Sequence, residues 1–335
     1  MSRRPDKLAP YEDLLLARGT SDPWEHERGE RPRYRPDHDL LGRLLSIPVG
    51  TGEGSESGAF AKGIDAWVAH ELRRAGFGAD EVWPRATRPR VLPRDVAVLL
   101  DKLPRELAAA VRARARELPA VTPADAVILG RAYDKQVDVV ISRWDRGPEL
   151  LVSTKAQVSS FGKNLPNRFE EAYGDAGNLR GRHPLAAVGF LFVQRSTILT
   201  AEPDAFERTV DMIRKLRATG GESGGYTATG LVVVEWGDPA LGVRVREDAV
   251  PADVAAPGFF ATLIQHVISV TPVVHHVRVR ELLERRNLSV READADAVAA
   301  DAGMLPMDDD QTAVGDGTGQ PGALDVPLFP EWSLG

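Results

Sequence analysis

Two runs with a period of two, residues 136–144 (QVDVVISRW) and 149–154 (ELLVST), flank Asp145-Arg146-Gly147-Pro148, and this pattern constrains the chain more than any other. Alternating apolar residues on both sides of a Gly/Pro turn predict a β-hairpin. Residues 162–182 then read as helical from about Pro166, a good first-turn residue, and residues 186–193 (AAVGFLFV) form a short apolar run suited to a buried strand. Strand, helix and strand in that order make a crossover. A helix over 199–218, a strand over 230–236 and a mixed apolar and basic stretch over 259–286, helical at both ends, continue the alternation. The fold class predicted is α/β, a mixed central sheet flanked by helices.

Upstream, Phe60, Ile64, Trp67, Val68, Leu72 and Ala75 recur at helical spacing, with Gly76 as the stop. Residues 95–118 read as helix broken at Pro104. The stretch to Pro36 is rich in Arg, Pro, Asp and Glu and reads as an extended arm. The Gly/Ser loop at 50–58 (GTGEGSESG) lacks the Gly-Lys-Ser/Thr ending that a phosphate cradle needs. The expected organisation is an arm and loop over 1–57, a core over 58–236, helical support over 237–288 and a disordered acidic tail over 289–335.

Charge is unevenly spread along the 335 residues. Residues 289–335 carry ten acidic residues against Arg291 alone, a net −9, which leaves +2 on residues 1–288 although the whole chain is at −7. A mildly basic body keeps nucleic acid open as a ligand. With no cysteine, disulfides, thiolate zinc sites, iron–sulfur clusters and cysteine nucleophiles are excluded. No apolar run approaches the ~18 residues of a membrane span, so the expectation is a soluble cytoplasmic protein with no membrane partner.

The hairpin brings polar residues together. If Arg146 and Gly147 are its two loop residues, Asp138 faces Lys155 and Val140 faces Ser153, so Asp138, Ser153, Lys155 and Gln157 share one face of the sheet. The plainer reading is a cross-strand ion pair on a solvated face. The alternative is a polar ligand, because each buried polar group left unpaired costs ~1–3 kcal/mol. His275 and His276 are adjacent and so do not form an i, i+4 metal pair.

The strand Val137-Asp138-Val139-Val140-Ile141, the strand ending Ser153-Thr154-Lys155, and the preceding acid-bearing helix closed by Gly76-Phe77 together resemble the PD-(D/E)xK restriction-endonuclease-like superfamily. That family has Asp or Glu two residues before the lysine, where this chain has Ser153. Some of its restriction enzymes pair Ser-x-Lys with a Glu roughly fourteen residues beyond the lysine, and this chain offers Glu170 and Glu171 at fifteen and sixteen. The resemblance covers about half the chain.

The resemblance implies a restriction-endonuclease-like core that cleaves double-stranded DNA with Mg²⁺, in restriction or another defence against foreign DNA. Asp138 with Glu170, the first choice, or Glu171 would hold the metal. Lys155 would orient water or neutralise charge, and Ser153 could assist only through a water or as a metal-bound hydroxyl. The family's first helix contributes an acid about eleven residues before its Gly-Phe, which selects Asp65, with Glu71 as competitor. Lys163, Asn164, Arg168, Arg180 and Arg182 suit DNA contacts. A homodimer would present two sites to a duplex. The rival expectation is a non-catalytic DNA-binding or assembly subunit that keeps the fold.

Overall fold

The computed structural model describes residues 6–293, apart from 53–57, 116, 119, 164, 219–224 and 238–240. Up to Glu292 the described residues form one compact unit, to which every element named here belongs. The predicted disordered tail, beyond its first few residues, and Asn164 lie outside the described residues.

A six-stranded mixed sheet forms the centre. Its strands are β3 (Val82–Trp83), β6 (Val139–Arg143), β7 (Gly147–Gln157), β8 (Ala187–Arg195), β9 (Ala228–Glu235) and β10 (Arg244–Val245), in the spatial order β10-β9-β8-β7-β6-β3. Strands β7, β8 and β9 run parallel, whereas β3, β6 and β10 are antiparallel to their neighbours. The expected α/β class and mixed central sheet flanked by helices are therefore present.

Side-chain alternation gives each face of the sheet its own core. Val139, Ile141, Leu150, Val152, Leu191 and Val193 face one side, where α3 (Ala59–Arg74) and α9 (Ala256–Val270) pack. Val140, Leu151, Val188, Phe190 and Phe192 face the other, against α6 (Leu165–Arg180) and α8 (Pro203–Ala218). Strand β8, buried on both faces, accordingly reads as a continuous apolar run. Helix α9 lies close on the sheet at Gly189, where a Cβ would come within 2.9 Å of Leu263 and 3.1 Å of Phe259.

Helix α3 follows its predicted stripe, with Ile64, Trp67, Val68 and Leu72 fully buried. It ends in a Schellman motif: Gly76 takes φ +106°, its N–H donates to Arg73 O, and the Phe77 N–H donates to Leu72 O. Pro104 separates α4 (Arg94–Lys102) from α5 (Arg105–Ala115), as expected.

The N-terminal stretch is not an extended arm. It forms α1 (Glu12–Arg18) and a small hairpin of β1 (Trp24–Glu25) and β2 (Arg33–Tyr34), followed by α2 (His38–Gly50). Tyr11, Trp24 and Tyr34 join the core under α3 and α9. These anchors are too widely spaced to produce a periodic signal, so composition dominates the sequence reading. Among the described residues, no helix is long and apolar enough to cross a membrane.

Candidate functional site

The hairpin register differs from the two-residue-loop expectation. Val139 pairs with Val152, Val140 with Leu151 and Ile141 with Leu150, and a bulge follows between Ile141 and Ser142. The connection is the three-residue turn Trp144-Asp145-Arg146, with Gly147 at φ +71°. A primed two-residue turn would force Arg146 into the left-handed region, which a side chain resists; the longer loop leaves that conformation to glycine. The slip amounts to two residues, so the side chains within β6 and β7 keep their predicted faces.

Residues 136–144 also do not form one strand. A bend at Asp138 separates β5 (Asp134–Val137), which pairs with β4 (Ala126–Leu129) in a separate hairpin, from β6. Val137 joins the core under α6 while Val139 joins the opposite one, so the bend reverses the alternation. Pairing of β6 with β7 stops at Val152, which leaves the Thr154 N–H without a β6 carbonyl. Asp138 supplies the missing acceptor: its Oδ2 takes the Thr154 N–H at 2.9 Å. A buried backbone donor must find a partner, and here it fixes a carboxylate at the strand opening.

A second carboxylate meets the same residue from α3. The Thr154 hydroxyl donates to Asp65 Oδ1 at 2.6 Å. Asp65 is 1% exposed, and its Oδ2 makes no hydrogen bond but faces the Lys62 ammonium at 3.1 Å. Lys62 also reaches Asp125 Oδ1 at 2.9 Å. Burial, and next the neighbouring Asp138 charge, push the Asp65 carboxyl up to about 7. Burial likewise raises Asp138 above the usual carboxylate range, against the Thr154 N–H and the charges of Lys62, Lys155 and Lys135. Burial works against the Lys62 ammonium, yet Asp65 and Asp125 outweigh it and hold its pKa above the lysine norm.

On the α6 side of β7, Lys155 Nζ lies 3.3 Å from Glu171 Oε2, and Lys135 pairs with the buried Asp175 at 2.6 Å. Glu171 is thus the helix acid that meets the lysine, although it is exposed, as is Glu170, the first choice from sequence. Consecutive helix residues point about 100° apart, and the docking of α6 selects the second. Ser153 is buried beside this cluster. Gln157 is committed elsewhere, donating to Ser160 O and Phe161 O and accepting from Gln194.

Glu71 belongs to a different constellation. It is fully buried, and it accepts from Tyr34 OH (2.9 Å), Arg74 Nη1 (2.7 Å) and the Asp37 N–H (3.0 Å), anchoring the N-terminal segment to α3. Burial pushes its carboxyl up to about 7. It has the partners that an acid on an apolar stripe requires.

The residues expected to contact DNA are not gathered in one place. Exposed Lys163 and half-buried Arg168 lie at the start of α6, near Lys155 in the chain path. Arg180 and Arg182 lie at its far end, nine and eleven residues beyond Glu171, or ~14 Å and more along the axis. Arg180 donates to Thr227 Oγ1 at 2.9 Å. Asn178, also on α6, clamps a loop: its Oδ1 accepts from the Ala132 N–H and its Nδ2 donates to Tyr133 O. His276 is buried against Glu149, with Nε2 and Oε1 3.2 Å apart.

Sequence reasoning missed Thr154, Lys62, Asp125, Lys135 and Asp175. Only Lys62 carried a local signal, its i, i+3 spacing to Asp65. Among the described residues no three His, Asp or Glu side chains form a ready-made metal cage. Two hard oxygen donors, one with a buried oxygen whose partner is the Lys62 ammonium, nonetheless suit a divalent cation. Comparisons with protein-family models, curated proteins and solved structures find no match to this chain.

Proposed function

We propose that the chain is a Mg²⁺-dependent endonuclease with a restriction-endonuclease-like core, cleaving double-stranded DNA in restriction or another defence against foreign DNA. One observation carries the reading: two carboxylates from separate elements, Asp65 and Asp138, meet on Thr154, immediately before Lys155. Asp65 and Asp138 would hold the ion. Glu171, the helix acid next to Lys155, could join them on leaving the lysine. Bound there, the ion would polarise the phosphodiester and favour ionisation of the attacking water.

The chain's own residues supply the rest. Lys155 orients the water or offsets the charge that develops on phosphate. Lys62, Lys135 and Lys155 set three cations around Asp138 and suit a polyanion. Ser153 cannot replace a carboxylate's charge, so the acids of α3 and α6 must provide it. A homodimer would deliver one site to each strand.

A second reading is a non-catalytic DNA-binding or assembly subunit. The neutral Ser153, standing where the family carries an acid, favours it. Plasmid nicking separates the two. If the intact protein nicks with Mg²⁺ while Asp138→Ala and Lys155→Ala variants do not, it is the enzyme. DNA binding without cleavage by intact protein selects the subunit, and failure to bind duplex at low salt defeats both.

A further inference from the structure

We propose that Lys62 is a built-in counter-ion seated in the cation position of the acidic pair, and that a divalent ion enters only by displacing its ammonium. The inference rests on the metal-dependent reading above and concerns how that site is gated.

The geometry leaves room for one cation. Thr154 occupies Asp65 Oδ1, so Oδ2 is the oxygen open to a cation, and it is buried without a hydrogen bond. Lys62 Nζ stands 3.1 Å from that oxygen and 2.9 Å from Asp125 Oδ1. A divalent ion coordinated by Asp65 Oδ2 would lie ~2.0–2.6 Å from it, in the space the ammonium fills. Two cations at such separation repel strongly in a water-poor site.

Lys62 also has a way out. Its side chain is only 17% exposed but ends on a flexible four-carbon stem, and Asp125, 36% exposed, stands towards solvent just before β4. An ammonium that leaves Asp65 can therefore keep Asp125 as partner while it turns outward. With the lysine inward, the repulsion between Asp65 and Asp138 is relieved by the chain itself. With the lysine outward, both acids face the incoming ion. The device lowers cation affinity and keeps the acids compensated until an ion arrives.

The test is calorimetric titration of Mn²⁺ into the purified full chain, compared with Lys62→Met, Lys62→Gln and Lys135→Met, each checked for native circular dichroism. Removal of either lysine strengthens the general attraction for cations, but only Lys62 blocks the position. Lys62→Met, or Lys62→Gln should the first fail to fold, is expected to tighten Mn²⁺ binding on the order of tenfold, well beyond Lys135→Met. Asp65→Asn in the Lys62→Met background should abolish the gain. Equal gains from the two lysines, or no gain from Lys62, overturn the displacement proposal while leaving the metal site intact. Failure of every variant, and of the unaltered chain, to bind Mn²⁺ at millimolar concentration overturns the metal reading itself.

Discussion

Asp65→Asn tests the central feature of the site without any substrate. Asp65 is 1% exposed, and burial with the adjacent Asp138 raises its carboxyl from 3.8 to about 7, against the partial relief of Lys62 and Thr154. Between those values the folded chain holds a proton that the unfolded chain has released. The group's contribution to stability is therefore complete below pH 4 and declines until pH passes 7. At 1.36 kcal/mol per pH unit, wild type loses about 2 kcal/mol by pH 5 and about 4 kcal/mol by pH 8, leaving roughly 2–3 kcal/mol between the two. Water penetration reduces that to on the order of 1–3 kcal/mol. Asparagine does not titrate, so the stability of Asp65→Asn relative to wild type should rise by this amount from pH 5 to pH 8. Any fixed cost of placing an amide beside Lys62 cancels in the comparison, as does the titration of Glu71, which both proteins retain, whereas Asp138, relieved of the Asp65 charge, adds to the difference in the same direction. Guanidinium unfolding followed by tryptophan fluorescence at the two pH values measures the difference. A gap that stays constant, or moves towards wild type as pH rises, refutes the claim that Asp65 is held as a costly buried charge.

Glu71→Gln should lower stability at pH 8 by roughly 2–4 kcal/mol, because it leaves the buried Arg74 without its carboxylate, and should leave Mn²⁺ affinity unchanged. The same two measurements check both parts, and lost Mn²⁺ binding in a folded variant would return Glu71 to the site. Gly130→Ala would place a Cβ 2.2 Å from Asn178 Nδ2 and disrupt the clamp on the Ala132 and Tyr133 backbone, lowering stability by ~1–3 kcal/mol in the same unfolding assay. An undiminished midpoint would show that Asn178 can move without cost.

Several features were legible in the sequence because they depend on local periodicity. The α3 stripe, its Gly76 stop, the apolar β8 run and the break at Pro104 each follow from backbone preferences and burial within one element. The facing of Ser153 and Lys155 survived an incorrect register, since a shift of two residues preserves parity on a strand.

Tertiary structure decided the rest. Asp65 and Glu71 both lie on α3 and both are buried, yet one meets Thr154 while the other meets Tyr34 and Arg74. That assignment depends on which segment covers each turn of the helix, including an N-terminal stretch whose composition conceals its anchors. Glu170 and Glu171 differ by a rotation of about 100°, and only the docking of α6 directs the second at Lys155. Thr154 has no distinguishing local pattern, because its role arises where β6 peels away and exposes one N–H to Asp138. Sequence determined the elements and their faces through short-range chemistry. The meeting of carboxylates 73 residues apart was set by how those elements pack, which no local period encodes.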